Sequence, residues 1–132
     1  MIVLDASALV ELLLETAIGR KVALRIADAN VALHVPHLAD VEVAQALRRY
    51  AREGDLNNAE ARAALDDLRD LDLRRHSHEP LLDRAWELRD NISTYDAVYV
   101  ALAEALDAVL LTCDGKLARA RGIRADIELV AR

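Results

Sequence analysis

The chain has no phenylalanine, one cysteine, two prolines, two lysines and only four glycines in 132 residues. Each shortage closes off a class of protein. Cys113 cannot form an internal disulfide, which suits a reducing cytoplasm. Glycines at 19, 54, 115 and 122 permit neither a G-x-G-x-x-G turn nor a phosphate-binding P-loop, and Lys21 and Lys116 stand in no such context. None of the three serines lies in a G-x-S-x-G elbow. No apolar run approaches the ~20 residues of a membrane span, and no basic-then-apolar leader opens the chain, so a cytoplasmic protein without membrane attachment is expected. A formal net charge of −6 excludes a generally basic nucleic-acid coat protein, though it leaves room for local basic patches.

What is present is aliphatic. Hydrophobic residues make up 54% of the sequence, with 25 Ala and 23 Leu against 11 Val and 6 Ile. That favours helices with a few short strands, and residues 1–132 are enough for one domain with its own core. Apolar runs at Ile2–Asp5, Val31–Val35, Ala108–Leu111 and Ile127–Val130 predict short strands, and Leu71–Arg75 a short edge strand. Between them, helical patterns run from Ser7, as N-cap, to Leu14, then over Thr16–Asp28, Leu38–Arg52, Asn57–Leu71, Glu79–Arg89, Ser93–Leu106 and Lys116–Ala120. The expected inward stripes are Val22, Ile26 and Ala29; Leu38, Val41, Ala44, Leu47 and Ala51; Ala61, Leu65, Leu68 and Leu71; and Val98, Leu102 and Ala105. Gly54 reads as a left-handed cap ending the third helix.

Strands alternating with helices predict an α/β fold: a three-layer α/β/α sandwich on a short parallel sheet of four to five strands. Ligand sites in such sheets collect beyond the carboxyl ends of the strands, where strand order reverses. The first strand ends in Asp5 and the penultimate one in Thr112-Cys113-Asp114, so both acids fall at that edge.

Four acids compete between structural and chemical roles. Asp5 could cap a helix; Glu42 could be a solvated charge on the polar side of its helix; Ser93-x-x-Asp96 matches a capping box; Asp114-Gly115 could be a turn. Considered together they point elsewhere. Two carboxylates about 4 Å apart repel by roughly 4 kcal/mol at an effective dielectric near 20. Four at one edge would destabilise the fold unless a cation joins them or some take up protons. All-oxygen ligands suit Mg²⁺ or Mn²⁺ rather than zinc, and such an ion supports phosphodiester hydrolysis.

Asp5-Ala6-Ser7 after an apolar strand, Glu42, the run Thr94-Tyr95-Asp96-Ala97-x-Tyr99-x-Ala101-Leu102-Ala103-Glu104, and Leu110-Leu111-Thr112-x-Asp114 together resemble the PIN domain family, and more narrowly the VapC toxins of bacterial toxin–antitoxin pairs. The resemblance runs from Ile2 to about Val130. It implies a PIN-like α/β/α sandwich and a Mg²⁺-dependent endoribonuclease, with Mn²⁺ able to substitute. Asp5, Glu42, Asp96 and Asp114 would form its catalytic acidic quartet. Asp5, Asp96 and Asp114 would hold the principal ion, and Glu42 would bind it through water or hold a second one. Thr112 and Ser7 would support the acids through their hydroxyls. Some members carry a further acid where this chain has Gly115-Lys116-Leu117. The resemblance also implies a homodimer and a VapB-type antitoxin lying across the acidic site.

The remaining features bear on substrate. Arginines cluster at Arg48-Arg49 with Arg52, Arg74-Arg75, and Arg119 with Arg121 and Arg124; Arg20 neighbours Lys21. Arg49, seven residues after Glu42, lies on nearly the same helix face, so Arg49 and Arg52 are candidates for RNA phosphate contact. Stacking residues are sparse: Tyr50, Tyr95, Tyr99 and Trp86, which favours a folded RNA over a random strand. His34, His37, His76 and His78 are expected as surface or loop residues rather than zinc ligands, and Cys113 as a buried strand-end residue. Two rival functions remain, a non-catalytic PIN-like interaction module and a phosphoryl-transfer domain with a strand-end Asp nucleophile. The second fits poorly, because Ser7 stands where a haloacid-dehalogenase-like phosphatase has its second Asp.

Overall fold

The computed structural model describes residues 1–131. Along the chain lie β1 (Ile2–Leu4), α1 (Ala6–Leu13), α2 (Ala17–Arg25), β2 (Leu33–Pro36), α3 (Leu38–Arg52), α4 (Asn58–Asp70) and β3 (Leu73–His76). A 3₁₀ turn (Glu79–Leu81) then leads to α5 (Leu82–Glu87), α6 (Thr94–Leu106), β4 (Val109–Thr112), α7 (Gly115–Ala118) and β5 (Ile127–Leu129). The five strands form one parallel sheet in the order β3-β2-β1-β4-β5. The low-propensity segment after Leu71 is indeed an edge strand, shifted to Leu73–His76.

The path of the chain explains the sandwich. From β1 to β3 it moves steadily outward, and α1 to α4 pack together on one face. It then reverses and enters β4 on the other side of β1, so right-handed crossovers place α5 and α6 on the opposite face. α6 lies against β1, β2 and β4, and residues Ala97–Ala103 are buried without a break. The expected α6 stripe is therefore too narrow, and Ala105 is exposed. A helix covered by the sheet beneath and by α5 at its side needs apolar residues nearly all round.

Two other stripes need correction. The inward residues of α3 are Ala39, Val43 and Leu47, whereas Val41 is 67% exposed and Ala44 is also on the outside. In α4 they are Ala64 and Leu68, with Ala61 and Leu65 only half-buried. Small alanines lie on several faces of these helices, so hydropathy alone leaves the angular phase undetermined. In α2 Val22 is buried, but the helix closes at Ile26 and Ala29 is exposed beyond it. Gly54 does take the left-handed conformation past the end of α3, with φ at 83°.

Candidate active site

The order of strands puts a topological switch between β1 and β4, and the chain leaves their carboxyl ends in opposite directions. Val3 pairs with Leu110 and Leu4 with Leu111, and the Asp5 N–H donates to the Leu111 carbonyl at 3.2 Å. Asp5 and Thr112 are thereby fixed side by side at the sheet edge.

Asp5 is 5% exposed and is the N-cap of α1. Its Oδ1 accepts from the Ala8 N–H at 3.0 Å and from the Ser7 hydroxyl at 2.6 Å, and the Thr112 hydroxyl donates to Oδ2. The expectation that Ser7 caps this helix is thus wrong: Ser7 lies in the first turn and gives its proton to the cap residue. Ser7 Oγ also accepts from the Cys113 N–H at 2.9 Å, and Thr112 Oγ1 from the Asp114 N–H at 3.0 Å. Each hydroxyl ties Asp5 to the β4–α7 turn. Burial pushes the Asp5 carboxyl up; the Ser7, Thr112 and Ala8 bonds oppose it, Asp114 adds to it, and the balance is upward.

Asp114 caps α7, its Oδ1 accepting from the Lys116 N–H at 2.9 Å. Asp96 lies in the first turn of α6, where Ser93 is the N-cap and its hydroxyl accepts from the Asp96 N–H at 3.1 Å. The return bond of a capping box, in which the Ser93 N–H would donate to the Asp96 carboxylate, is not formed. The Asp96 carboxyl is pushed up to about 6, first by burial and then by the charges of Asp114, Asp5 and Glu42. The fourth acid, Glu42, is half-buried in the second turn of α3, where the Tyr99 hydroxyl donates to its Oε1 at 2.6 Å. Asp5, Asp96 and Asp114 all sit at helix N-termini, whose partial positive charge offsets about 0.3–1 kcal/mol of repulsion each. Capping and site geometry are therefore compatible at the same residues.

The four acids come from four elements, and the charges of the other three all push Asp96 upward. Among the described residues, though, no three His, Cys, Asp or Glu side chains converge into a ready-made metal cage. As a donor set they offer only carboxylate oxygens, which fits a hard divalent ion in type. A cleft of about 320 Å³ opens beside them, lined by Ser7, Glu11, Glu42, Arg49, Tyr50 and Cys113, among others. A larger cavity, about 450 Å³, lies away from the acids at the start of β4, so volume does not mark this site.

Of the two candidate arginines, Arg49 borders the cleft with its guanidinium 5.4 Å from the Tyr50 ring centre. Arg52 is exposed at the end of α3 and does not line it. Arg75 is engaged by Asp40 at 2.7 Å, and the Arg119 guanidinium lies over Gly115. Tyr99, expected as a possible stacking surface, is 1% exposed and unavailable to a base; Trp86 and Tyr95 are 67% and 62% exposed. Sequence reasoning missed its bond to Glu42, although the Asp96-x-x-Tyr99 spacing placed both on one side of α6.

His37 is exposed, as expected, but the other three histidines differ. His34 is 4% exposed in β2, with Nδ1 2.8 Å from Nε2 of His76 on β3, and His78 Nε2 accepts the first N–H of α3 from Leu38 at 2.8 Å. They pair across adjacent strands and bind the α3 start, which hydropathy could not reveal. The Cys113 thiol is pushed up to about 11 by burial, Asp5 and Glu11, which argues against a thiolate nucleophile.

Thr112 is fully buried and its hydroxyl serves two partners at once. Thr112→Val keeps the shape but leaves an Asp5 oxygen and the Asp114 N–H unpaired. The expected loss is about 1–3 kcal/mol, read as a lower denaturant midpoint at unchanged slope, with Thr112→Ser recovering most of it. A Val variant as stable as the parent would contradict this arrangement.

The PIN domain family model matches residues 2–123, and the chain belongs to that family. Its full-length relatives are VapC ribonucleases. Ribonuclease VapC9 of Mycobacterium tuberculosis is 43% identical over 132 residues, spanning 100% of both chains. Ribonuclease VapC12 of the same organism is 44% identical over 131 residues, covering 99% of this chain and 100% of its own. Among solved structures, M. tuberculosis VapC20, described as a Sarcin-Ricin loop cleaving toxin, superposes with a TM-score of 0.70 at 18% identity, over 93% of this chain and 96% of that one. VapBC2 from Rickettsia felis, bound to a promoter DNA fragment, gives 0.70 at 16% identity over 98% of each chain. The two structures share the fold described above.

Proposed function

We propose that this chain is the toxin of a toxin–antitoxin pair, a Mg²⁺- or Mn²⁺-dependent endoribonuclease of the cytoplasm. One observation carries it: acids from four elements gather at the switch point, with Asp5 locked by two hydroxyls and a helix N–H. Membership among VapC ribonucleases supports the same activity.

In this scheme Asp5, Asp96 and Asp114 hold the principal ion. When bound, the ion lowers the pKa of water and stabilises charge on a phosphodiester undergoing in-line displacement. Ser7 and Thr112 orient Asp5 and keep its oxygens from turning inward. Glu42 lines the neighbouring cleft from α3 and binds the ion through water or holds a second one. Arg49 at the cleft meets a phosphate of the RNA. Gly115-Lys116-Leu117 offers no carboxylate for a second ion, which favours one principal ion. The hydrogen bonds to both Asp5 oxygens disfavour the rival scheme with a strand-end Asp nucleophile.

An acidic site framed in this way suits a basic side chain from a VapB-type antitoxin, and VapBC2 of Rickettsia felis, a toxin–antitoxin complex by name, has the same fold. A homodimer and a folded RNA substrate complete the proposal. Among the described residues, no helix is long and apolar enough to cross a membrane.

The test is total cellular RNA incubated with the purified, antitoxin-free chain in Mg²⁺, in Mn²⁺ or in chelator. Discrete cleavage in the metals and none in chelator is the expected result, and the sequenced ends name the target. A folded sample that cuts nothing moves the assignment to the non-catalytic module.

A further inference from the structure

Tyr99 has no part in the acidic quartet, yet its hydroxyl makes a hydrogen bond into it. The ring is 1% exposed in the middle of α6, and its oxygen lies 2.6 Å from Glu42 Oε1 on α3. α6 and α3 belong to opposite helical layers of the sandwich, so this bond bridges them at the edge where the acids collect. It is also the one hydrogen bond the Glu42 side chain makes among the described residues.

We propose that Tyr99 is a positioning residue for Glu42, holding its carboxylate in the single orientation that presents the second oxygen to the metal or to the water it binds. The inference rests on the metal-dependent activity proposed above. A phenol has one proton to give, and Tyr99 gives it to Oε1, which leaves Oε2 without a hydrogen bond among the described residues. Without that anchor Glu42 is a half-buried side chain with three rotatable bonds beside three other acids, and charge repulsion turns it outward. The same bond sets the distance between Glu42 and Asp96, because Asp96 and Tyr99 are three residues apart on one face of α6. A buried tyrosine that merely satisfies its own hydroxyl would serve the core alone. Here the acceptor is one of the four acids, which is what gives the bond a second consequence.

Tyr99→Phe removes the hydroxyl and keeps the ring. Binding of Mn²⁺, followed by the electron paramagnetic resonance signal of the free ion, needs no RNA and reads the site directly. Loss of such a contact is expected to reduce Mn²⁺ affinity about 10–100-fold, with an unchanged far-UV spectrum. The deciding measurement is a double-mutant cycle on Mn²⁺ affinity with Glu42→Gln. If Tyr99 acts through Glu42, adding Tyr99→Phe to Glu42→Gln changes affinity by less than about twofold. Additive losses, or a Tyr99→Phe protein that binds and cleaves like the parent, would overturn the proposal. A parent chain that binds no Mn²⁺ removes the metal site itself and the positioning role with it, and the parent's own titration separates that failure from the others.

Discussion

Asp96→Asn is expected to make the metal-free protein melt several degrees higher at about pH 7.5 while reducing RNA cleavage by more than the ~100-fold that outer-shell changes cost. The two effects have one cause. In the fold the Asp96 carboxyl titrates at about 6, because burial and then Asp114, Asp5 and Glu42 oppose its charge; in the unfolded chain it titrates at the usual 3.8. Below the lower value both states hold the proton and the fold is not penalised. As pH rises the unfolded chain releases its proton first, and stability falls until the native carboxyl has also ionised near 6. Above that the penalty is constant, on the order of 2–3 kcal/mol. Asparagine carries no charge, so the variant avoids the penalty at neutral pH and gains nothing at pH 4. Melting curves of parent and variant should converge in acid and separate above pH 6. Mn²⁺ should raise the parent's melting temperature at pH 7.5, and much less at pH 5, where protons compete for Asp96. A variant no more stable than its parent at neutral pH would mean that the acids do not repel one another as described.

That antagonism explains why the site was half-visible in the sequence. Asp5 and Asp114 follow apolar runs that could only be buried strands, and parallel topology sends both strand ends to one edge. Whether they cap helices is open from the sequence and is answered by hydrogen bonds: both are N-caps, at Ala8 and Lys116. Glu42 was placed by family resemblance alone. The phase of α3 misled, because Val41 outranks Ala39 in hydropathy while Ala39 is the buried one. Tyr99 was legible as a residue of the motif but not as the partner of Glu42, since the two meet across 57 positions. The histidine pairs were obscured for the same reason: His34 and His76 are neighbours only because β2 and β3 are parallel and in that register. Local periodicity reports elements, whereas such contacts depend on how elements are stacked.

Gly19→Ala is expected to destabilise the fold by about 3 kcal/mol or more, a change of about 10 °C in melting temperature. By helix propensity the change should help, since alanine gains about 1 kcal/mol over glycine inside a helix. Packing decides the sign. A Cβ at Gly19 would lie 1.9 Å from the Glu11 carbonyl oxygen and 2.5 Å from its carbon, both of them backbone atoms of α1 that cannot rotate away. The contact exists because only Leu14, Glu15 and Thr16 join α1 to α2: Glu15 is left-handed at φ 53°, and Thr16 caps α2 by accepting the Gly19 N–H at 2.9 Å. The Thr16 hydroxyl in turn contacts the Glu11 carboxylate, so the helices are stapled at the place where the methyl would intrude. Gly54→Ala is the control. Nothing lies within 4 Å of a Cβ there and only the positive φ opposes it, which costs roughly 1–2 kcal/mol. Gly19→Ala should therefore melt well below Gly54→Ala, and its residual activity should fall too, because relieving the clash moves α1 and, with it, Ser7 and the Ala8 N–H that hold Asp5. If Gly54→Ala proves the more damaging, the close approach of α1 and α2 is not what keeps Asp5 in place.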